Sequence, residues 1–106
     1  MPTYKVLAQS APSAASATTL YTASNATIVS TINVSNTGGA ADTIRIAVRP
    51  AGATLANEHY LVYGLQVPSG SIFTFTGGIT LANTDVITIY STTGTSSFSA
   101  FGSEAN

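Results

Sequence analysis

Along most of the chain, short runs of β-branched and aromatic residues alternate with clusters of Gly, Asn, Asp, Pro and Ser, a rhythm that predicts strands joined by turns. Residues 27–35 read as one strand with Ile28, Ile32 and Val34 on one face. Residues 36–42 then reverse the chain, Gly supplying positive φ and Asn and Asp supplying side-chain bonds to the local backbone. Residues 43–49 alternate with Ile44, Ile46 and Val48 inward and Arg45, Ala47 and Arg49 outward; Pro50, which has no N–H to give a ladder, ends that strand. Residues 59–67 place His59, Leu61, Tyr63, Leu65 and Val67 on one side and Tyr60, Val62, Gly64 and Gln66 on the other. Large groups on both faces predict a strand covered on two sides. Residues 71–76 set Phe73 and Phe75 together, Gly77-Gly78 predicts a bulge or tight corner before Ile79-Thr80-Leu81, and residues 85–91 and 97–101 complete the set.

Nearer the start, Tyr4-Lys5-Val6-Leu7 and Leu20-Tyr21 are fit for burial in two further short strands. Between them residues 11–19, all Ala, Pro, Ser or Thr, read as a loop or as an arm lying against another subunit. No segment sustains helical spacing and no repeat of solenoid length recurs. The predicted fold is all-β: a two-sheet antiparallel β-sandwich of seven or eight strands, jelly-roll or immunoglobulin-like. One domain is expected over residues 1–106, with residues 1–25 an N-terminal arm or edge-strand segment.

Three basic and four acidic residues among 106, for a formal net charge of −1, leave polarity to Ser, Thr and Asn. Lys5, Arg45 and Arg49 are too few for a phosphate footprint, so no nucleic-acid partner is expected. A net charge near zero also removes a common defence against self-association, which predicts a homo-oligomer. The absence of cysteine excludes disulfides, thiol nucleophiles and thiolate metal sites. With neither the apolar core of a secretory leader nor a stretch of ~20 apolar residues, a soluble product made in the cytosol and no membrane partner are expected.

Candidate chemistry is sparse. The acids Asp42, Glu58, Asp85 and Glu104 show no pairing suited to acid–base work. Asp42 and Asp85 each precede a strand, as turn caps do, and Glu104 lies where fraying is expected. His59, the single histidine, supports neither a His-rich metal site nor a nucleophilic triad, and reads as a hydrogen-bonded strand-edge or interface residue. No catalytic, cofactor or metal residue is assigned. The interface candidates are Arg45, Arg49, His59, Tyr60 and Tyr63. The two arginines, four apart on one strand face, suit a partner carboxylate or a solvated face, and the tyrosines, Tyr90 included, suit core or subunit packing better than a sugar platform.

The runs Ser30-Thr31-Ile32-Asn33-Val34-Ser35-Asn36, Arg45-Ile46-Ala47-Val48-Arg49-Pro50-Ala51-Gly52 and Leu55-Ala56-Asn57-Glu58-His59-Tyr60 resemble small virion-associated proteins of tailed bacteriophages of aquatic bacteria, including cyanophages. Phe73-Thr74, Gly78-Ile79-Thr80-Leu81 and Asp85-Val86-Ile87-Thr88-Ile89-Tyr90 extend the resemblance, which covers the chain from about Tyr4 to Phe101. It implies a virion structural protein made in the host bacterial cytoplasm, and it carries no site residue over. The leading expectation is a capsid decoration or cement protein, a symmetric oligomer such as a trimer, whose partners are itself and the major capsid protein or other virion proteins. The alternative is a tail, neck or fibre adaptor contacting the host surface or a carbohydrate. A cell-wall hydrolase, the third reading, fails on the scarcity of acids and the single histidine.

Overall fold

A computed structural model describes residues 3–76 and 78–104. Nine strands, β1 (Thr3–Ser10), β2 (Thr18–Thr22), β3 (Thr27–Asn36), β4 (Asp42–Arg49), β5 (Tyr60–Val67), β6 (Ile72–Phe75), β7 (Ile79–Leu81), β8 (Val86–Ser91) and β9 (Ser96–Glu104), are joined by turns and two short 3-10 segments, Pro50–Gly52 and Asn57–His59. One sheet has the order β1-β9-β3-β6, with β7 also on β3; the other has the order β2-β8-β4-β5. Every pairing is antiparallel.

β6 and β7 pair with successive stretches of the same edge of β3 and are one edge strand interrupted by a bend. Gly77, read with Gly78 as the cause of that bend, lies outside the described residues, as do Met1, Pro2 and the side chain of Tyr4. With β6 and β7 counted together, consecutive strands alternate between the sheets at every step except β4 to β5. That interleaving, with β1 beside β9 in one sheet and β2 beside β8 in the other, is a jelly roll, the first of the two predicted topologies. β1 and β2 each form one edge of their sheet, and the small-residue run between them crosses from one sheet to the other.

The core fills the space between the sheets, with Phe98, Ile32, Ile44, Ile46, Ile87 and Ile89 its largest fully buried side chains. Each contributes about 1.5–3 kcal/mol on leaving water. Phe73 and Phe75 pack against this core from the edge, on one face as predicted.

Strict alternation fails where the strands bulge. In β3 the register against β9 slips between Val29 and Thr31, leaving Ser30 as the extra residue, its hydroxyl donating to the Phe101 carbonyl. The slip reverses the phase, so Thr27 and Val29 face inward before it and Ile32 and Val34 after it. Ile28, predicted to share a face with Ile32, is instead 54% exposed. Opposite this bulge stands Gly102, where a Cβ would overlap the Ile28 carbonyl oxygen and sit 2.9 Å from Val29 Cα.

β5 slips twice against β4, at Leu61 and at Gly64. Gly64 has φ +73, which a residue with a Cβ adopts only with strain. The double slip turns Val62, Leu65 and Val67 to the core and leaves Tyr60 and Tyr63 together on the outer face. Two expectations are corrected: the tyrosines do not lie on opposite sides, and β5 is an edge strand with Leu61 and Tyr63 exposed, not a strand covered on both faces.

Candidate functional site

The outer face of the β2-β8-β4-β5 sheet gathers most of the predicted interface residues. Tyr90 of β8, Arg45 of β4 and Tyr63 of β5 are register partners and form one row across three strands. The Arg45 guanidinium carbon lies 4.3 Å from the Tyr90 ring centre and 4.5 Å from that of Tyr63. Such a cation over an aromatic face gains about 0.5–2 kcal/mol and holds the guanidinium in one orientation. Tyr60 meets Tyr63 edge-on, with ring centres 4.8 Å apart and planes at 84°. Beside them Asn57, Tyr60 and Tyr63 line a shallow cleft of about 440 Å³.

This cluster exists because of the bulge at Leu61. In a regular strand, residues three apart face opposite ways; the extra residue brings Tyr60 and Tyr63 to the same side. Tyr63 is 62% exposed, a large fraction for an aromatic ring. Among the described residues the one ion pair is Lys5 to Glu104, at 2.6 Å, so Arg45 offers its N–H donors without a carboxylate of its own chain.

Arg49, although on the same face, does different work. Its Nε donates to Thr88 Oγ1 at 2.9 Å and an Nη donates to the Ala53 carbonyl at 3.1 Å, tying β4 and β8 to the connection over residues 50–59. That connection packs on β8 and β4 and covers Ala47, Val86 and Thr88, which face outward yet are buried. His59 belongs to the same connection, in a 3-10 turn before β5 and not in the strand, and its Nδ1 accepts the Ala56 N–H at 3.0 Å. Arg45, Tyr60 and Tyr63 thus come together, whereas Arg49 and His59 shape the loop beside them.

The acids take up other places. Asp42 is fully buried at one end of the sandwich, accepting from the Ser91 and Ser96 hydroxyls and from the Thr93 N–H. Burial pushes its carboxyl up, but those hydrogen bonds together outweigh burial and hold it below the usual aspartate range. Asp85 caps at the opposite end, accepting from Ala51 N–H and Ala82 N–H, each at 2.9 Å, bonds that lower its carboxyl. Glu104 is not frayed: it is the last residue of β9, paired with Lys5 and hydrogen-bonded by the Tyr21 hydroxyl, and both partners lower its carboxyl. Among the described residues, no three His, Asp or Glu side chains converge as metal ligands would.

Asn57 belongs to the cluster and stands outside the predicted candidates, while Tyr90, weighed with the other tyrosines, stands outside the interface set alone. Alternation with the inward Ile87 and Ile89 already turns Tyr90 outward, but nothing in the sequence says that β4 lies next to it. Comparison with family models, with curated proteins and with solved structures gives no match for this chain.

Proposed function

We propose that the protein is a non-enzymatic structural component of a tailed-phage virion, of the capsid decoration or cement type, which docks on the shell through the outer face of the β2-β8-β4-β5 sheet. The observation that carries this reading is Arg45, held between Tyr63 and Tyr90 on an exposed face with no carboxylate partner of its own among the described residues. Arg and Tyr are the side chains most concentrated at the energetic centres of protein interfaces, and a pre-oriented guanidinium loses little freedom on pairing with a partner carboxylate. Leu61, 45% exposed next to the cluster, adds apolar area to the same surface. A cement protein adds such contacts across subunit boundaries and stabilises the assembled shell by mass action.

The test is the copy number of the chain in purified particles, measured by quantitative mass spectrometry against the major capsid protein. Hundreds of copies per particle are expected, and complete absence from particles would end the virion reading. Tens or fewer would favour a second reading, a tail, neck or fibre adaptor. The cleft lined by Asn57, Tyr60 and Tyr63 favours that role, since two aromatic rings and an amide suit a pyranose ring and its hydroxyls. Glycan-array binding that Tyr60→Ala abolishes is the result expected of an adaptor, and its absence the result expected of cement.

A further inference from the structure

We infer that the outer face of the β1-β9-β3-β6 sheet is a two-fold interface with a second copy of this chain. The register places Gln9, Ser99, Asn33 and Thr74 in one row across all four strands, with hydrogen bonds from Gln9 to Ser99 and from Thr74 to Asn33 along it. Their neighbours Ile32, Val34, Phe98 and Ala100 point into the core, so the row faces outward. Val6 and Phe101 flank the row on one side and Ile72 lies on the other.

Two features of this face point to a copy of itself. Among the described residues it carries no charged side chain. Lys5 and Glu104 pair at the rim on the inward-facing side of their strands, Asp42 is buried, Glu58 and Asp85 belong to loops, and both arginines lie on the other sheet. At a two-fold axis each group near the centre meets its own kind, which repels for a charge but suits hydroxyls and amides, since these donate and accept at once. The face also holds Val6, Ile28 and Ile72, each at least half exposed, which together are three of the five large apolar side chains left exposed among the described residues. The molecule measures 42 by 27 Å along its longer axes, so a broad face exceeds the ~800 Å² per partner of a standard interface.

This inference deepens the cement reading and rests on it for its purpose. A dimer formed face to face presents two copies of the Arg45–Tyr63 cluster on opposite sides, one for each of two neighbouring shell subunits. Sedimentation equilibrium of the purified chain tests it directly. A concentration-dependent dimer is expected, with its Kd raised at least ~100-fold by Asn33→Lys, which sets a like charge against itself at the centre of the face. Ser99→Lys gives the same loss if Asn33→Lys fails to fold, and Tyr63→Ala leaves the dimer intact. A chain that stays monomeric at millimolar concentration, a trimer, or a dimer insensitive to both lysine variants would overturn the inference. The two proposals fail separately: a monomer present at hundreds of copies per particle removes only the dimer, and a dimer absent from particles removes only the virion role.

Discussion

The two ends of the sandwich solve the same problem with different chemistry. At one end the connections 11–17, 37–41, 68–71 and 92–95 converge on two buried polar residues, Asn36 and Asp42, which flank a single turn. Asn36 donates to the Ala40 and Val67 carbonyls and accepts from Gly38 N–H and the Thr95 hydroxyl, and its own carbonyl accepts from Gly70 N–H. Asp42 gathers Ser91, Thr93 and Ser96, while the Ser91 carbonyl accepts from Ala15 N–H in the first crossing. At the other end Asp85 and Arg49 tie loops together from exposed or half-buried positions. A hydrogen bond sealed from water leaves an unsatisfied group when one partner is removed, whereas a solvated one is replaced by water. Stability should therefore depend strongly on the first end and weakly on the second.

The largest effect is expected from Asp42→Ala, which strips acceptors from three buried or half-buried donors; urea denaturation should show a loss of about 3 kcal/mol. Asn36→Ala should follow at about 2 kcal/mol, and a cost equal to or smaller than that of an Asp85 variant would show that the two ends do not differ in this way. Acid should weaken both ends. Asp42, Asp85 and Glu104 are all held below their ordinary values, so their contribution is complete above the unfolded-state carboxylate range, about pH 4, and is lost as pH falls through the lowered folded-state values. The thermal midpoint should thus be level near neutrality and fall in acid, with a shallower fall in Asp42→Asn. Lys5 has the opposite sign: its value is raised by Glu104, and its contribution is lost only as pH rises past the ordinary lysine range. Asp85→Ala should lower the thermal midpoint by less than either variant at the buried end. Smallest of all, Ala51→Gly relieves a positive φ of 52 at the solvated end and should leave calorimetric stability within about 1 kcal/mol of the parent.

Much of the architecture is legible in the sequence because strand alternation is local. The inward Ile44 and Ile46, the paired Phe73 and Phe75, and the turn-capping Asp85 all follow from residue types at a spacing of two or at a strand start. The cluster on the outer face is only half legible. Arg45 and the tyrosines are visible as candidates, but their meeting depends on bulges at Leu61 and Gly64, and a bulge is decided by the partner strand. Ile28 is misplaced for the same reason, two residues before the bulge at Ser30. Asp42 reads as a turn cap because its neighbours Ser91 and Ser96 are distant in sequence and become neighbours only when β8 and β9 close over it. His59 reads as a strand residue because nothing local reveals the 3-10 turn that its imidazole helps to close.

The placement of β9 between β1 and β3 has a consequence for how the chain is made. During synthesis β3 can meet β6 and β7, but β1 emerges first and has no strand to pair with until β9 leaves the ribosome, several seconds later at roughly 5–20 residues per second. Folding is therefore a late event built on contacts distant in sequence, which is intrinsically slow. The nascent chain must stay soluble in the meantime, and the neutral polar side chains of Gln9, Thr31, Asn33 and Ser35 at outward positions of β1 and β3 are what hydrate it while it waits.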